Sequence, residues 1–410
     1  MRKFGELDAY AALRSRNYGL LLTGHLLSHL GLQMLSVAVS WDLYQQTKSP
    51  IVLGNVGFVQ IAPALLLGLH AGHIADRYDR RRIIIFAQAL VLIGSALLAA
   101  ASPSVILIYS ALFLAAVARA FQWTARSAIL PSLVAPEALH NALAWYSSAT
   151  ELGSVSGPAL AGLLLASVGS KAAYVLQLGC AVVSMACYSL IRPPVPEERK
   201  DPPLAAVPMT RALREGLRFV WKDPLILPAI SLDLFAVLFG GATALLPIYA
   251  AEILHAGARG LGWLRAAPSI GAISMAFLTA HLPRVRRPGR ALLWAVAGYG
   301  AATVVFGVSR SLWLSFAMLV LVGACDNMSV VLRNSVVQTR TPDELRGRVS
   351  SVHGMFISSS NQLGAVESGW TAAWFGTVTS VVAGGLATLA IVAGFAARSS
   401  ALRKWRVRHD

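Results

Sequence analysis

Charge is scarce in this sequence: only 13% of its 410 residues are Asp, Glu, Lys or Arg, where an average soluble domain carries roughly 25%. A soluble chain of this length would fold as two or three domains, each needing a charged surface, and the charge to provide one is missing. Cysteine is scarcer still. Cys180, Cys187 and Cys325 all fall in apolar runs, which excludes a disulfide scaffold or a structural metal site and leaves buried, inert thiols. Acids are few as well, 19 against 35 basic residues, for a formal net charge of +16. The longest polar stretch, 192–223, is too short to bury a core, so this excess is not the basic face of a soluble nucleic-acid-binding domain. G-x-S-x-G, H-E-x-x-H and GxxxxGK[ST] segments are absent and the acids of the apolar runs stand singly. Neither an enzyme nor direct ATP use is expected, and no cofactor. The first eighteen residues are polar and lack a small-residue cleavage site, so the first apolar run is expected to stay in place as a helix.

What is abundant is apolar sequence. Hydrophobic residues make up 56% of the chain and mean hydropathy is +0.61. A helix of about 20 apolar residues crosses the hydrocarbon core with all its backbone polar groups paired internally. Such runs lie near 19–45, 51–75, 83–102, 105–126, 139–168 and 172–191, then near 225–252, 258–282, 289–309, 312–335, 350–375 and 377–397. The eleventh is the least apolar, carrying His353, Ser358 to Ser360, Asn361, Gln362 and Glu367, and is kept because the repeat described below requires it. The expected fold is an all-α membrane protein of twelve transmembrane helices in two pseudo-symmetric six-helix bundles. Residues 1–191 form the N-terminal bundle, 192–223 a cytoplasmic linker whose RALREGLRFVWK segment is an amphipathic helix along the inner surface, and 224–410 the C-terminal bundle.

Cytoplasmic loops of membrane proteins are enriched in Lys and Arg. With both termini inside, the outer gaps hold only Lys48, Lys171, Arg259 and Arg310, while Arg119, Arg126, Arg265 and Arg333 lie in or at the margins of spans. That leaves 27 of the 35 basic residues on the inner side. The expected setting is a bacterial inner membrane, with anionic lipid meeting the basic loops and the chain a monomer.

The two halves repeat. RSAILPSLVAPEAL at 126–139 matches RNSVVQTRTPDEL at 333–345, and GPALAG at 157–162 matches GAVESG at 364–369, both at an offset of 207. QIAP at 60–63 matches RAAP at 265–268 at an offset of 205. Parallel six-helix repeats are an architecture of secondary transporters, which hold substrate near the midplane between halves.

GHIADRYDRR at 72–81 resembles the cytoplasmic loop motif G-x-x-x-D-R-x-G-R-R of the major facilitator superfamily, with Gly72, Asp76, Arg77, Arg80 and Arg81 in place and Asp79 where many members have glycine. The resemblance implies a latch in which Asp76 is held by a helix N-terminus and arginines. The counterpart HLPRVRRPGR at 281–290 keeps the basic charge and loses the acid, so the latch is expected to be one-sided. Arg119 and Gln122 resemble the R-x-x-Q motif of the fourth span, with Trp123 replacing the usual glycine. Gly153, Gly157, Pro158 and Gly162 resemble the fifth-span motif of antiporters, where small residues let helices approach closely. LRSRNYGLLLTGHLLSHLG, TKSPIVLG and TPDELRGRVSSVHGMF are similar to the exporter branch that includes the bacterial enterobactin exporter and macrolide efflux proteins.

An arginine near the bilayer centre is costly and faces a partner or cavity. Glu151, at similar depth to Arg119, is its expected partner, and the pair is read as either proton-coupling or static. Asp326 is the next carboxylate considered for coupling, while Asp42 near a helix end is read as a cap. His25, His29, Gln33, Ser36 and Ser40 share one face of the first span. His25 and His29 could begin a metal site, but no third ligand is evident, so a cavity-lining stripe is the reading taken. Gln122, Asp233, Asn327, Arg333 and Asn361 complete the substrate-cavity candidates. Arg265 with Glu367, and Asp233 with Arg333, are read as candidate gating pairs, with static ion pairs as the alternative. The resemblance implies a proton-driven exporter of a small amphipathic molecule, drug-like or siderophore-like. The alternatives are an importer or lipid flippase of the same fold, or a non-transporting membrane sensor.

Overall fold

A chain surrounded by lipid must satisfy each backbone N–H and C=O within its own segment, and helices do so. The computed structural model describes residues 10–100, 103–192, 209–281 and 287–405, and every regular element among them is helical. Six long helices come first: α1 (Arg16–Thr47), α2 (Pro50–Arg77), α3 (Arg80–Ala100), α4 (Val105–Ile129), α5 (Leu139–Ser167) and α6 (Ser170–Leu190). The short α7 (Met209–Lys222) follows. A broken span comes next, made of α8 (Ile226–Phe239), a 3-10 turn (Ala242–Leu245), α9 (Leu246–Ile248) and a π-helical turn (Tyr249–Ile253). The chain continues with α10 (Gly257–His281), α11 (Pro288–Val308), α12 (Leu312–Arg340), α13 (Asp343–Phe375), α14 (Thr377–Arg398) and the single turn α15 (Ser400–Lys404).

Among the described residues, eleven spans are long and apolar enough to cross a membrane. The twelfth long helix, α13, runs for 33 residues in spite of its polar content. Helix bounds fall within three residues of the expected spans, except where α12 and α13 run on beyond their apolar stretches to meet across Thr341 and Pro342. The expected seventh span differs more. Gly240 and Gly241 interrupt it, and Pro247 lacks the N–H that would continue a regular ladder. The carbonyl of Gly240 is satisfied from elsewhere, by the Tyr299 hydroxyl at 3.1 Å.

The helices pack as two compact units: unit 1 is Met1–Leu43 with Ala62–Pro202, and unit 2 is Tyr44–Ile61 with Pro203–Asp410. These units do not follow the linear halves, because the first part of α2 packs on α13. A Cβ added to Gly54 would sit 2.9 Å from the Gly369 Cα, so the two backbones touch where neither residue has a side chain. Beside that contact Trp370 Nε1 donates to Asn55 Oδ1 at 3.1 Å, and the Tyr44 hydroxyl donates to the Glu252 carboxylate.

In unit 1, Tyr18, Leu21, Ile84, Ala125, Ile129 and Tyr188 form one buried cluster among α1, α3, α4 and α6. In unit 2, α10 and α12 lie closest. A Cβ on Gly323 would fall 1.9 Å from the Pro268 carbonyl oxygen, and one on Gly271 equally close to the Val320 carbonyl oxygen. The amphipathic α7 is held on unit 2: Val220 is buried with Ile226, Ile230, Val336, Val349 and Val352. Glu215 pairs with Arg348, and Asp223 with Arg340 at 3.1 Å. Asp223 also caps the start of α8, accepting from the backbone of Leu225 at 2.8 Å and Ile226 at 3.0 Å.

Candidate functional site

Each unit buries an arginine of its fourth long helix, and the two arginines are related by the repeat. In unit 1 this is Arg126, seven residues and so about two turns along α4 from Arg119. Its Nη1 donates to His25 Nδ1 at 3.1 Å, and its Nη2 donates to Gln122 Oε1 at 2.6 Å and to the Tyr188 hydroxyl at 2.8 Å. Gln122 passes the network on through Gln88 Oε1 at 3.0 Å, which also accepts from Ser28 at 3.1 Å. The His25 ring stacks on Tyr146, with centroids 4.0 Å apart and planes 12° apart. The second rung has the same form: His29 Nε2 meets Ser154 Oγ at 2.9 Å as His25 Nε2 meets Thr150 Oγ1 at 2.8 Å. Residues 146, 150 and 154 recur every four on α5, so one face of α5 reads one face of α1.

In unit 2 the arginine is Arg333, 1% exposed, and its partner is Asp233 of α8, with which it forms a buried ion pair. Ser329 Oγ donates to the Asp233 carboxylate at 3.4 Å. His353 of α13 is also buried, and neither its Nε2 nor Arg333 Nε has a hydrogen-bond partner among the described residues. Beside the pair is a narrow cavity of about 10 Å³, room for one water molecule. Asp326 and Tyr299 line it together with Asp233 and Ser329.

The repeat offset of 207 places Arg126 on Arg333, Gln122 on Ser329 and Tyr146 on His353. It also places Leu30 on Val237 and Gly157 on Gly364. A Cβ on Gly157 would lie 2.8 Å from the Leu30 carbonyl oxygen, and one on Gly364 2.7 Å from that of Val237. The backbone approach of the fifth helix to the first is thus reproduced residue for residue in both units. His25 and Asp233 break the match by one position and by their chemistry.

The other residues singled out in the sequence fall as follows. Arg119 and Glu151 form no ion pair among the described residues; Glu151 is half-buried, about 100° around α5 from the face that carries Tyr146, Thr150 and Ser154. The expected pairing of Arg265 with Glu367 is not formed either. Arg265 Nε has no hydrogen-bond partner among the described residues, and Glu367 accepts from Ser368 of its own helix at 3.4 Å. Helix α10 packs on α12, and α13 on α7, α8 and α14, which keeps the two residues on different interfaces. Gln33 is half-buried against Gly157, and a Cβ on Gly153 would lie 2.9 Å from the His29 ring, so the glycines of α5 admit the polar stripe of α1. Pro158 and Gly162 are buried on the same helix. Asn327 Oδ1 is buried without a partner among the described residues, and Asn361 is exposed and donates to the Ile357 carbonyl at 2.9 Å. Asp42 accepts from the Tyr174 hydroxyl of α6 at 2.7 Å, which ties two helices together and goes beyond the cap expected of it.

Gly72, Asp76 and Arg77, which include the acid of the expected latch, lie outside the residues whose side chains are described. Its remaining arginines act within unit 1. Arg80 donates to the Ala128 carbonyl at 2.8 Å near the end of α4, and Arg81 donates to the carbonyls of Tyr188 and Ser189 at the end of α6. Cations at helix C-termini satisfy carbonyls that the helix leaves open. Asp79, the departure from the motif, accepts from the backbone of Arg81 at 2.9 Å and so caps the start of α3. Sequence reasoning left Arg126 at a span margin and passed over Gln88, Tyr146, Thr150 and Ser154. The repeat held the signal, since Arg126 and Arg333 open the same matched segment.

Twelve long helices in a duplicated arrangement, with charged and polar hubs buried in each unit, define a multi-pass membrane transporter. The chain belongs to the Major Facilitator Superfamily, whose family model matches residues 21–365 and 244–406. It is 29% identical over 373 residues to the enterobactin exporter EntS of Shigella boydii, covering 89% of this chain and 87% of that one. It is equally similar to the enterobactin exporter EntS of Escherichia coli, 29% identical over the same span. Among solved structures it resembles a bacterial homolog of the human lysosomal transporter Spinster in an inward-facing, unoccupied conformation. The TM-score is 0.76 at 18% identity, covering 99% of this chain and 100% of that one. A POT family transporter in complex with 5-aminolevulinic acid matches with a TM-score of 0.69 at 12% identity, covering 95% of this chain and 97% of that chain. At these identities the structures speak for the fold.

Proposed function

We propose that this protein exports a siderophore-like small molecule across the bacterial inner membrane, in exchange for protons, by alternating access of two six-helix halves, 1–191 and 224–410, joined by the 192–223 linker. The observation that carries the reading is the similarity to enterobactin exporters, which runs through nearly the full length of both chains. The buried hubs agree with it in chemistry: hydroxyl, imidazole, amide and guanidinium groups suit a molecule rich in oxygen acceptors. Protons are the proposed counter-ion, with Glu151, Arg119 and Asp326 as the first residues considered for coupling. Both termini face the cytoplasm, the chain works as a monomer, and the arginines of the inner loops meet anionic lipid.

The test is secretion. A strain that makes a catecholate siderophore and lacks its own exporter should release more of it when this protein is expressed, and a protonophore should abolish the gain. Unchanged release together with faster uptake would favour import instead. No effect on a panel of siderophores and drugs would reject export.

A further inference from the structure

Arginine stays charged and can only donate, so the 3.1 Å contact from Arg126 requires a lone pair on His25 Nδ1. The ring's one proton must then sit on Nε2, which donates to Thr150 Oγ1 at 2.8 Å, while Thr150 donates to the Tyr146 carbonyl at 3.0 Å. Partners on both sides dictate one neutral tautomer. A proton arriving on Nδ1 would form an N–H bond where Arg126 now donates. The ring gains one proton and one positive charge, and Arg126 keeps its own. Two donors and two cations then face each other, and the contact between α1 and α4 must open.

Other groups around the ring do not relieve that conflict. Tyr146 of α5 stacks on its face, His29 of α1 lies 5.8 Å away between centroids, and Tyr188 of α6 lies beyond Arg126. Arg119 of α4 adds further positive charge beside His29. No Asp or Glu among the described residues forms an ion pair with Arg126. Gln122, Gln88 and Ser28 exchange hydrogen bonds but do not take up protons near neutral pH. Unit 2 supplies the internal comparison. The repeat partner Arg333 is held by Asp233, an acid that binds arginine in its charged form. The same hub is closed in one unit by a charged carboxylate and in the other by a neutral ring that a proton opens.

We propose that His25, rather than a carboxylate, takes up the counter-ion proton in unit 1, and that Arg126 is the group its protonation displaces; this rests on the proton-coupled export inferred above. The experiment uses the full chain reconstituted in proteoliposomes, with iron-free enterobactin as the probe and an imposed pH gradient. Wild-type protein should accumulate the probe against its gradient, and failure there would sink the export reading itself. Given a coupled wild type, His25→Asn keeps an acceptor for Arg126 but cannot bind a proton. It should lose uphill accumulation, and its remaining downhill flux should stop responding to pH. Wild-type accumulation by His25→Asn overturns the proposal, as does loss of coupling in Glu151→Gln alone. Size-exclusion profiles report folding, and His25→Gln is carried as a second variant. Infrared difference spectra of wild-type protein with ring-labelled histidine keep the idea falsifiable if both variants misfold. Acidification should convert an imidazole to an imidazolium, and a change confined to carboxyl bands would overturn it.

Discussion

Arg333 illustrates at the residue scale how a membrane interior handles charge. It is 1% exposed, and Asp233, 5% exposed, supplies the only ion pair it makes among the described residues. Taking two charges out of water costs several kcal/mol each, about what their mutual attraction returns, so the pair as a whole is close to neutral for stability. Removing one member is different. Asp233→Asn leaves a buried cation facing an amide, and stability in detergent should fall by about 3–5 kcal/mol, read as a lowered unfolding midpoint. Asp233→Asn with Arg333→Gln removes both charges and should recover most of the loss. A single variant as stable as wild type would show that water or lipid headgroups neutralise Arg333 in place of the acid. Arg126 in unit 1 forms no such ion pair among the described residues, and its neutral partners leave the network open to being rearranged by one proton.

At the scale of elements, the sequence pattern located helices where composition alone decides them and missed what depends on a neighbour. Runs of apolar residues placed α1 to α6 closely, because lipid imposes the same length on each. The break after Phe239 was not legible. Gly240, Gly241 and Pro247 sit inside a run that stays apolar enough to read as one span, and the packing of Gly241 against the Gly364 carbonyl accompanies the opening of the helix there. Pairings of charged residues were legible where both lie on facing helices, as with Asp233 and Arg333. They were misread where depth was known but helical face was not, as with Arg119 and Glu151. Glycines divide in the same way. Replacing a helix glycine that has open space around it by alanine gains up to about 1 kcal/mol of helix propensity, and Gly19 of α1, half-buried with no atom within 4 Å of its Cβ position, should show that gain. Gly323→Ala should do the reverse. Its Cβ would lie 1.9 Å from the Pro268 carbonyl oxygen, so α10 and α12 must separate. The overpacking cost of about 1–3 kcal/mol exceeds the propensity gain, and the unfolding midpoint should drop. A Gly323→Ala protein as stable as Gly19→Ala would mean that these two helices are free to move apart at no cost.

For the whole molecule, duplication sets the scaffold and the departures from it set the chemistry. The offset of 207 carries the backbone contact of Gly157 into that of Gly364, yet it sets Arg119 on Asp326 and leaves His25 without a histidine partner. The segment Tyr44–Ile61 belongs by sequence to the first half and by packing to unit 2, a division no hydropathy profile could reveal because it rests on glycine contacts and on Asn55, Trp370, Tyr44 and Glu252. Orientation in the membrane follows instead from a sum over the whole chain. Of 35 basic residues, 27 lie in the inner gaps and the two termini together when both termini are assigned to the cytoplasm. Such a bias orients helices through the many short loops acting together, so no single charge reversal should invert it. Cys180, Cys187 and Cys325 are unpaired and can be replaced to give a background without thiols. On that background Lys171→Cys, at the exposed start of α6, should react with a membrane-impermeant maleimide in intact cells. Glu137→Cys, exposed between α4 and α5, and Lys222→Cys, at the end of α7, should react only after the membrane is opened. Labelling of Glu137→Cys from outside, with Lys171→Cys protected, would invert the assignment. It would also place the Arg80 and Arg81 cluster, and with it the arginine-capped ends of α4 and α6, on the opposite face from the one where the arginine count puts them.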